Sequence, residues 1–351
     1  MIYPDFLKKD STISFIAPSF GCNIEPYRSS FDNAVRIFEE LGHRTLKGPN
    51  CYMGKGLGIS NSKEACGSEI NDYFIKVDSD AVISCGGGEM MCETLPDVDF
   101  ERIKQSKPRW FVGFSDNTNL THTLTTLCDI ATVYALCAPS FGMEPWDESV
   151  SDCYELLTGR KNKFFGYPKW EKESLKDEEH PLEPYNLTEE KKLVVYKGGR
   201  LFDLSKEDIT LGFSGRLLGG CMDCLSTLIG TRFDGTANFI KKYKNDGTVW
   251  YLEACELNPM DIRRVLWKMR QAGWFDNAAG FVFGRPYEAW EQELFGVNRY
   301  NAVTDILGDL NVPIVLDADL GHFHPAIPII NGACGKITIE NKNIGVEYEI
   351  C

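Results

Sequence analysis

The chain has 351 residues, of which 43% are hydrophobic and 25% are charged, a composition typical of soluble globular proteins and a length sufficient for two domains. Its formal net charge of −14 makes nucleic acids and anionic membrane surfaces unfavourable partners. The first residues lack the basic region and apolar core of a signal peptide, and no uncharged apolar run reaches the roughly 18 residues of a membrane span. We therefore expect a cytoplasmic protein without membrane association.

The cysteines are 13 in number, and several lie inside apolar runs, where a thiol behaves as a small hydrophobic group. Without an export signal they are predicted to be reduced. Cys221 and Cys224 form a C-x-x-C motif, which occurs at redox and zinc sites. The chain has neither a second C-x-x-C motif nor a paired histidine at metal-ligand spacing, so ordinary thiols are favoured and no metal is expected.

The N-terminal part of the chain alternates strand and helix patterns. Apolar strands are predicted at 12–17, 81–84 and 110–114, and an amphipathic helix is predicted from Phe31 to Leu41. This alternation favours a parallel, Rossmann-like sheet covered on both faces by helices. In such sheets ligands bind where strands end. Ser19, Gly86–Gly88 and Ser115 each follow a strand, so we expect them to converge.

A second block of strands and helices begins near Leu211, after a segment of different character. Residues 161–192 are rich in charge, proline and aromatic residues, with little periodicity. The later elements are predicted as strands 248–252, 279–283 and 313–316 and a helix over 260–272 with Asn258 as its N-cap. We therefore predict an α/β protein with an N-terminal domain (1–150), a connecting excursion (151–205) and a C-terminal α/β domain (206–351).

Ser115 is the candidate nucleophile. It follows the apolar run 110–114 and precedes a predicted helix over 117–127. A hydroxyl at the tip of a buried strand, with Gly113 two residues before it, is how many hydrolases present a nucleophile. The N–H groups at the start of the helix would stabilise an oxyanion. A serine in this place is also a common helix cap, and the local pattern leaves both roles open.

His322 is the candidate general base. Gly321 lets the backbone turn and present its ring after an apolar strand. The other histidines are less suitable: His43 in a surface turn, His122, His180 among acids and prolines, and His324 before a proline. His122 lies on the same predicted helix as Ser115, about 10 Å along its axis, too far to take the hydroxyl proton. A partly exposed loop position is the alternative for His322.

Glu253 is the candidate carboxylate partner of that histidine. It ends the apolar strand 248–252, where an acid is out of character without a partner. A carboxylate would hold the tautomer of the imidazole and stabilise the imidazolium. The alternative is a strand-end residue that faces solvent. Glu256 and Asp261 are weaker candidates, since Asp261 lies in a first helical turn, where acids suit the dipole.

The turn Gly86–Gly88 can offer backbone N–H groups to an anion without side chains in the way. Such a turn suits an oxyanion or a phosphate, and it also occurs as a plain tight turn without a ligand. The sequence contains neither G-x-G-x-x-G nor G-x-x-x-x-G-K-[ST], so nucleotide phosphate is the less favoured ligand.

Together these motifs resemble the LD-carboxypeptidases of serine peptidase family S66, which also contains the microcin C self-immunity proteins. The resemblance runs across nearly the whole chain. It rests on Ser84–Gly88 with Leu95-Pro96 and Asp99-Phe100, on Gly113–Thr118, on Gly215–Gly220, on Tyr251–Glu253 and on Gly321-His322.

The resemblance implies a catalytic triad of Ser115, Glu253 and His322, and an oxyanion hole formed by the backbone N–H groups of Asp116 and Gly88. It also implies that an N-terminal domain supplies the serine, a C-terminal domain supplies the other two residues, and the active site lies at their interface. Members are typically cytoplasmic, often dimeric and independent of metals. We therefore expect a homodimer that needs no cofactor.

The reaction implied is hydrolysis of an amide bond next to a free carboxylate, on a small peptide such as a muropeptide tetrapeptide. The alternative is a microcin immunity-like hydrolase of aminoacyl or peptidyl nucleotides. Gly220 is followed by Cys221 where Asn-Leu is common in the family, and the glycine turn continues as Glu89-Met90-Met91 where murein enzymes usually carry a Gly-Tyr-Gly type sequence. These departures concern the substrate and not the triad.

Two substrate contacts are expected. The excursion around Trp170 resembles the immunity branch, where an aromatic residue in that region helps to hold a nucleobase, and Gly87 belongs to the glycine turn. Either substrate also calls for a cation, which Arg263 or Arg264 would supply, with a solvated helix face as the alternative role. A non-catalytic protein that binds a small anion is the competing hypothesis.

Overall fold

The computed structural model describes residues 1–56 and 58–350, which form two compact units. The first unit comprises Met1–Lys161, Glu173–Asn186 and Pro328–Asn331. The second comprises Asn162–Lys172, Leu187–Ile327 and the chain from Gly332 onward. The segment 151–205, predicted as a connecting excursion, thus contributes residues to both units.

The first unit is built on a sheet that is parallel except at one edge. Its strands in spatial order are Ile329–Asn331, Thr132–Tyr134, Trp110–Gly113, Ala81–Ser84, Thr12–Ile16 and Arg44–Lys47. The first of these is antiparallel to its neighbour, whereas the others pair in parallel. The three strands predicted in this region are confirmed to within one residue.

Helices cover both faces of this sheet. They are Tyr27–Glu40, Lys63–Ile75, Phe100–Gln105, Thr118–Cys128 and Glu148–Leu157, with 3-10 turns at Met91–Glu93, Leu95–Asp97, Ser115–Asn117 and Ala138–Gly142. Phe15 packs against Phe31 of the first helix, while the next residue, Ile16, joins a core cluster with Phe74 and Leu120. Successive strand residues point to opposite faces, so both faces are buried.

The strand order places the ends of several strands together. When the parallel strands are numbered by their order in the chain, they lie side by side in the order 2-1-3-4-5. This order is typical of the doubly wound class. In this order the ligand crevice opens at the carboxyl ends of the first and third strands, which are Ile16 and Ser84. The residues that follow these ends, Ser19 and Gly86–Gly88, therefore flank a ligand position.

The second unit is built on a mixed sheet. Its strands in spatial order are Arg200–Asp203, Val194–Lys197, Ile314–Ala318, Ala278–Gly284, Thr248–Glu253, Leu211–Cys221, Cys334–Glu340, Asn343–Glu349 and Lys163–Phe165. The central strands pair in parallel, and the outer ones are antiparallel. The α/β fold class with two domains is confirmed.

The remaining elements of the second unit are short. Its helices are Met222–Leu228, Thr236–Lys242, Pro259–Gln271 and Asn301–Leu307, and a 3-10 turn follows at Gly308–Leu310. Two small antiparallel pairs complete the unit: Lys169–Glu171 pairs with Leu187–Glu190, and Glu293–Leu294 pairs with Val297–Asn298. Asn258 caps the third of these helices, and its side chain accepts the N–H groups of Met260 and Asp261, as predicted. Each helix in residues 1–56 and 58–350 is too short or too polar to span a bilayer.

Candidate active site

Ser115 lies on a sharp turn between a strand and a helix. The strand Trp110–Gly113 ends two residues before it, and Ser115 itself has φ of 60°, in the left-handed region that a residue with a side chain rarely adopts. Its backbone N–H donates a hydrogen bond to Tyr134 Oη at 3.1 Å. Asn117 occupies the N-cap of the following helix, so Ser115 does not cap it. Such a strained turn is the geometry that presents a nucleophilic hydroxyl.

The glycine turn lies directly against this serine. A Cβ atom added at Gly87 would be 3.1 Å from both Cβ and Oγ of Ser115 and 3.9 Å from the backbone nitrogen of Asp116. Gly88 has φ of 132°, and a Cβ atom there would be 2.2 Å from Ser19 Oγ. The turn therefore packs closely against the serine at Gly87, and at Gly88 neither the space nor the backbone conformation suits a residue with a side chain.

The Asp116 side chain ties three strand ends together. Its Oδ2 accepts hydrogen bonds from Ser19 Oγ at 2.5 Å and from the N–H of Met91 at 2.9 Å, and its Oδ1 accepts one from Asn119 Nδ2 at 2.8 Å. These partners follow the first and third strands and lie on the helix after Ser115. The peptide group between Ser115 and Asp116 is thereby held in a fixed orientation.

Glu253 and His322 form a hydrogen-bonded pair in the second unit. Nδ1 of His322 lies 2.8 Å from Oε2 of Glu253, and the glutamate side chain has no exposed surface, whereas 16% of the histidine side chain is exposed. Burial lowers the pKa of His322, but the Glu253 carboxylate and the neighbouring Cys255 raise it more, so the net pKa lies well above its usual value. The pair is therefore arranged to hold a proton on Nδ1 and to stabilise an imidazolium.

Two glycines make room for this pair. A Cβ atom at Gly321 would be 2.7 Å from Oε2 of Glu253, and φ of Gly321 is 93°. A Cβ atom at Gly284 would be 2.1 Å from the carbonyl oxygen of Leu320 and 3.1 Å from Cβ of Glu253. Gly321 thus has the role expected of it, because the backbone turns in the left-handed region immediately before the histidine.

Trp170 is buried in an aromatic cluster of the second unit. Only 2% of its surface is exposed, and its ring lies 4.8 Å from that of Phe323 and 5.1 Å from that of Trp290. The structure therefore gives Trp170 a packing contact with the residue that follows His322. Its predicted role as a substrate contact stays a prediction. The aromatic ring of this cluster that is half exposed belongs to Tyr287, 4.9 Å from Phe323.

A buried ion pair anchors the loop that carries His322. Nη2 of Arg285 lies 2.6 Å from Oδ1 of Asp319, and each side chain is 1% exposed. The other carboxylate oxygen of Asp319 accepts the N–H of Tyr167 at 2.8 Å, and the guanidinium lies 4.9 Å from the Trp170 ring. Sequence reasoning missed this pair. The available signal was an arginine directly after a strand, Ala278–Gly284, that is apolar throughout.

Several other expectations have structural outcomes. Arg263 and Arg264 lie on the helix Pro259–Gln271, where they form ion pairs with Asp305 at 2.6 Å and with Asp261 at 2.5 Å. The expectation that His43 lies in a surface turn is wrong. His43 is 5% exposed, and its Nε2 lies 2.8 Å from Tyr154 Oη.

Among residues 1–56 and 58–350, no group of His, Cys, Asp and Glu side chains is arranged to hold a metal ion. The chemistry that these two sites offer is that of a hydroxyl, backbone N–H donors, an imidazole and a carboxylate.

Comparison with known proteins places these residues in a family. The model of the LD-carboxypeptidase N-terminal domain matches residues 13–135, and that of the LD-carboxypeptidase C-terminal domain matches residues 214–337. The chain belongs to the LD-carboxypeptidase family. Ser115 falls within the first match, and Glu253 and His322 fall within the second. The protein is accordingly a serine-type carboxypeptidase or amide hydrolase of that family.

Individual relatives are distant in sequence but similar in length. The chain is 24% identical to the microcin C7 self-immunity protein MccF of Escherichia coli, over 95% of this chain and 92% of that protein. An MccF-like protein from Bacillus anthracis has the same fold, with a TM-score of 0.80 and 20% identity, over 99% of this chain and 100% of that one. MccF in complex with glutamyl sulfamoyl guanosine superposes with a TM-score of 0.76 at 19% identity, over 99% and 98% of the two chains.

Proposed function

We propose that Ser115, His322 and Glu253 act as a catalytic triad that hydrolyses an amide bond next to a free carboxylate. The observation that carries the proposal is the buried Glu253 carboxylate 2.8 Å from Nδ1 of His322, which leaves Nε2 as the nitrogen for proton transfer. The strained backbone of Ser115 supports its role as the nucleophile, since φ of 60° is maintained only where the surrounding structure enforces it.

The residues divide the chemistry between them. Ser115 Oγ attacks the carbonyl carbon, and His322 takes the hydroxyl proton and later delivers it to the leaving amine. Glu253 keeps the imidazole in the required tautomer and stabilises its charged form. The backbone N–H groups of Asp116 and Gly88 donate to the oxyanion, and removal of one such donor from a hydrolase costs about 10²–10³-fold in kcat.

The first substrate class is a small peptide, represented by the L,D bond of a muropeptide tetrapeptide, since the family models are those of LD-carboxypeptidases. The second is an aminoacyl or peptidyl nucleotide. The likeness to MccF over 95% of the chain favours it, because a structure of MccF contains glutamyl sulfamoyl guanosine. We further propose that the protein acts as a homodimer in the cytoplasm and uses no metal.

The test of the triad combines labelling with turnover. A fluorophosphonate probe should label wild-type protein at Ser115 and should not label Ser115→Ala. It should label His322→Ala more slowly than wild type. Ser140→Ala, a serine substitution elsewhere in the first unit, is the control and should be labelled like wild type. Labelling that persists in Ser115→Ala would contradict the assignment of the nucleophile.

The test of the substrate uses two incubations read by mass spectrometry. If a muropeptide tetrapeptide loses its terminal residue, the substrate is a small peptide. If the amino acid is released from an aminoacyl sulfamoyl adenosine, the substrate is an aminoacyl or peptidyl nucleotide. Tight binding of either compound without products, in protein that the probe does not label, would favour the anion-binding hypothesis instead.

A further inference from the structure

Cys221 and Cys224 lie at the junction of a strand and a helix close to Glu253. Cys221 is the last residue of the strand Leu211–Cys221 and the N-cap of the helix Met222–Leu228, and Cys224 lies in the first turn of that helix. The strand pairs in parallel with Thr248–Glu253, so the motif opens the helix of a strand–helix–strand unit. A C-x-x-C motif in this setting is typical of a redox pair, although the sequence alone favoured ordinary thiols.

The two thiols are neighbours with different access to solvent. Neither forms a disulfide, their side chains form a hydrogen bond with each other, and Cys221 is 2% exposed while Cys224 is partly exposed. One thiol is thus open to a small oxidant and the second is within reach of the first. This combination is that of an attacking and a resolving cysteine.

We propose that Cys221 and Cys224 are a redox-active dithiol that hydroperoxides convert to a disulfide. The Cys224 sulfur attacks the terminal oxygen of the peroxide, the O–O bond breaks, and the proton of the thiol passes to the leaving oxygen. The products are a sulfenic acid and an alcohol, or water when the oxidant is hydrogen peroxide. The Cys221 thiol then attacks the sulfenic sulfur, and the S–S bond forms as water leaves. Two thiols are oxidised and one peroxide is reduced, and an external dithiol reverses the change by exchange.

Asp223 connects this dithiol to the Glu253–His322 pair. Its Oδ2 lies 3.2 Å from Sγ of Cys221 and 3.0 Å from the backbone nitrogen of Cys255, and its Oδ1 accepts the N–H of Glu256 at 2.9 Å. The carboxylate therefore holds the turn that directly follows Glu253. Cys221 is also the register partner of Glu253 in the neighbouring strand.

Oxidation would disturb this connection by removing a hydrogen bond. The Cys221 thiol donates to Oδ2 of Asp223, and a disulfide has no S–H group to donate. Asp223 would then lose one of the contacts that hold its carboxylate at the turn after Glu253. We therefore expect hydrolysis to fall on oxidation, an effect that rests on the proposed function.

The decisive experiment reads the disulfide by mass and does not depend on activity. The full-length protein is treated with hydrogen peroxide, blocked with N-ethylmaleimide and digested with trypsin. The peptide 217–232 carries both cysteines and no others, and Cys255 falls in the separate peptide 245–263. We expect peptide 217–232 to lose two hydrogens and to lack the maleimide adduct, and to gain two adducts after dithiothreitol.

Two variants identify which cysteines form the disulfide. Cys224→Ser should leave Cys221 unable to form this bond, while Cys334→Ser, a partly exposed thiol in the same unit, should behave as wild type. Two maleimide adducts on peptide 217–232 after peroxide treatment would overturn the proposal, and so would a cross-link between peptides 217–232 and 245–263.

Activity is measured on the same samples. Hydrolysis should be lost on oxidation and restored by dithiothreitol in wild type and Cys334→Ser, and should resist oxidation in Cys224→Ser. Hydrolysis that is unchanged while the disulfide is present would overturn the connection through Asp223. Untreated protein without hydrolysis would count against the proposed function alone, because the mass measurement still decides whether the disulfide forms.

Discussion

The two units hold their candidate functional groups by different means. Around Ser115 the fixed groups are backbone peptides, kept in place by glycines, by a positive φ and by the hydrogen bonds of one carboxylate, Asp116. Around His322 they are charged side chains, kept in place by Glu253 and by the buried pair of Arg285 and Asp319. The first arrangement is sensitive to added volume, and the second is sensitive to the loss of charge.

The largest expected effect comes from neutralising the second arrangement. Glu253→Gln should lower kcat about 10⁴-fold, as expected when the carboxylate of a triad is replaced by an amide that favours the wrong tautomer. Because a general base must be unprotonated, wild-type hydrolysis should fall as the pH drops below the raised pKa of His322. Without the carboxylate that raises it, the acid limb of the pH–rate profile should move to lower pH.

The control for this substitution is Glu256→Gln, which removes an exposed carboxylate three residues along the chain. Its pH–rate profile should match that of wild type. If the acid limb does not move in Glu253→Gln, His322 is not the group whose protonation limits hydrolysis at low pH.

The volume sensitivity of the first arrangement is tested at Gly88. Gly88→Ala would place Cβ 2.2 Å from Ser19 Oγ and 2.4 Å from the carbonyl oxygen of Gly58, so the turn must move. We expect kcat to fall about 10²–10³-fold, with a smaller change in KM, because an oxyanion donor is displaced. Steady-state kinetics measure both constants.

Gly56→Ala is the matched control, since Gly56 also has a positive φ, 81°, but its Cβ would meet nothing within 4 Å. It should show only the cost of backbone strain, about 1 kcal/mol in the free energy of unfolding, with kcat near wild type. Equal losses of kcat in both variants would mean that strain, and not displacement of the turn, is responsible.

The buried ion pair should control stability more than chemistry. Arg285→Met leaves Asp319 buried without its cation, and breaking a pair of this kind costs about 3–5 kcal/mol in the free energy of unfolding. Arg270→Met breaks an exposed pair with Asp309, at 2.8 Å, and should cost at most about 1 kcal/mol. Urea unfolding of the two variants gives the difference, and equal costs would remove the distinction between the buried and the exposed pair.

The smallest effect is a pH dependence in the first unit. Burial raises the pKa of Glu69 from 4.5 to about 7, while its oxygens accept the N–H groups of Ala17 and Asn50 at 2.9 Å. Since the folded pKa is the higher one, this residue contributes most stability below pH 4.5, and the contribution falls as the pH rises through about 7. The loss between these limits is about 3 kcal/mol.

Glu69→Gln should flatten this dependence, because the amide does not titrate. The free energy of unfolding of wild type minus that of the variant, measured from pH 5 to pH 8, should decrease with pH. A difference that stays constant would show that Glu69 has an ordinary pKa in the folded protein.

Local signals account for what the sequence predicted. The strand Ala81–Ser84 was predicted with its observed bounds, and Asn258 with its observed capping role, because an apolar run and an N-cap depend on adjacent residues. Glu253 and His322 were paired by chemical reasoning, since an acid at the end of an apolar strand needs a partner.

Features that depend on distant partners were not predicted. His43 is buried because Tyr154, far along the chain, provides its hydrogen bond. The strand Lys163–Phe165 has only three residues, and it exists because Phe164 pairs with Val346 at the edge of a sheet formed by later residues. Asp319 and Arg285 are unremarkable in sequence until the fold buries them together.

The path of the chain through the two units limits how the protein can be divided. A fragment that ends at residue 205 would contain most of the first unit but would lack Ile329–Asn331, whose hydrogen bonds cover the edge strand Thr132–Tyr134. That edge would be exposed as a template for unwanted pairing. Separate expression of either unit from a contiguous stretch of gene is therefore expected to yield insoluble material, whereas two fragments produced together can supply each other's missing strands.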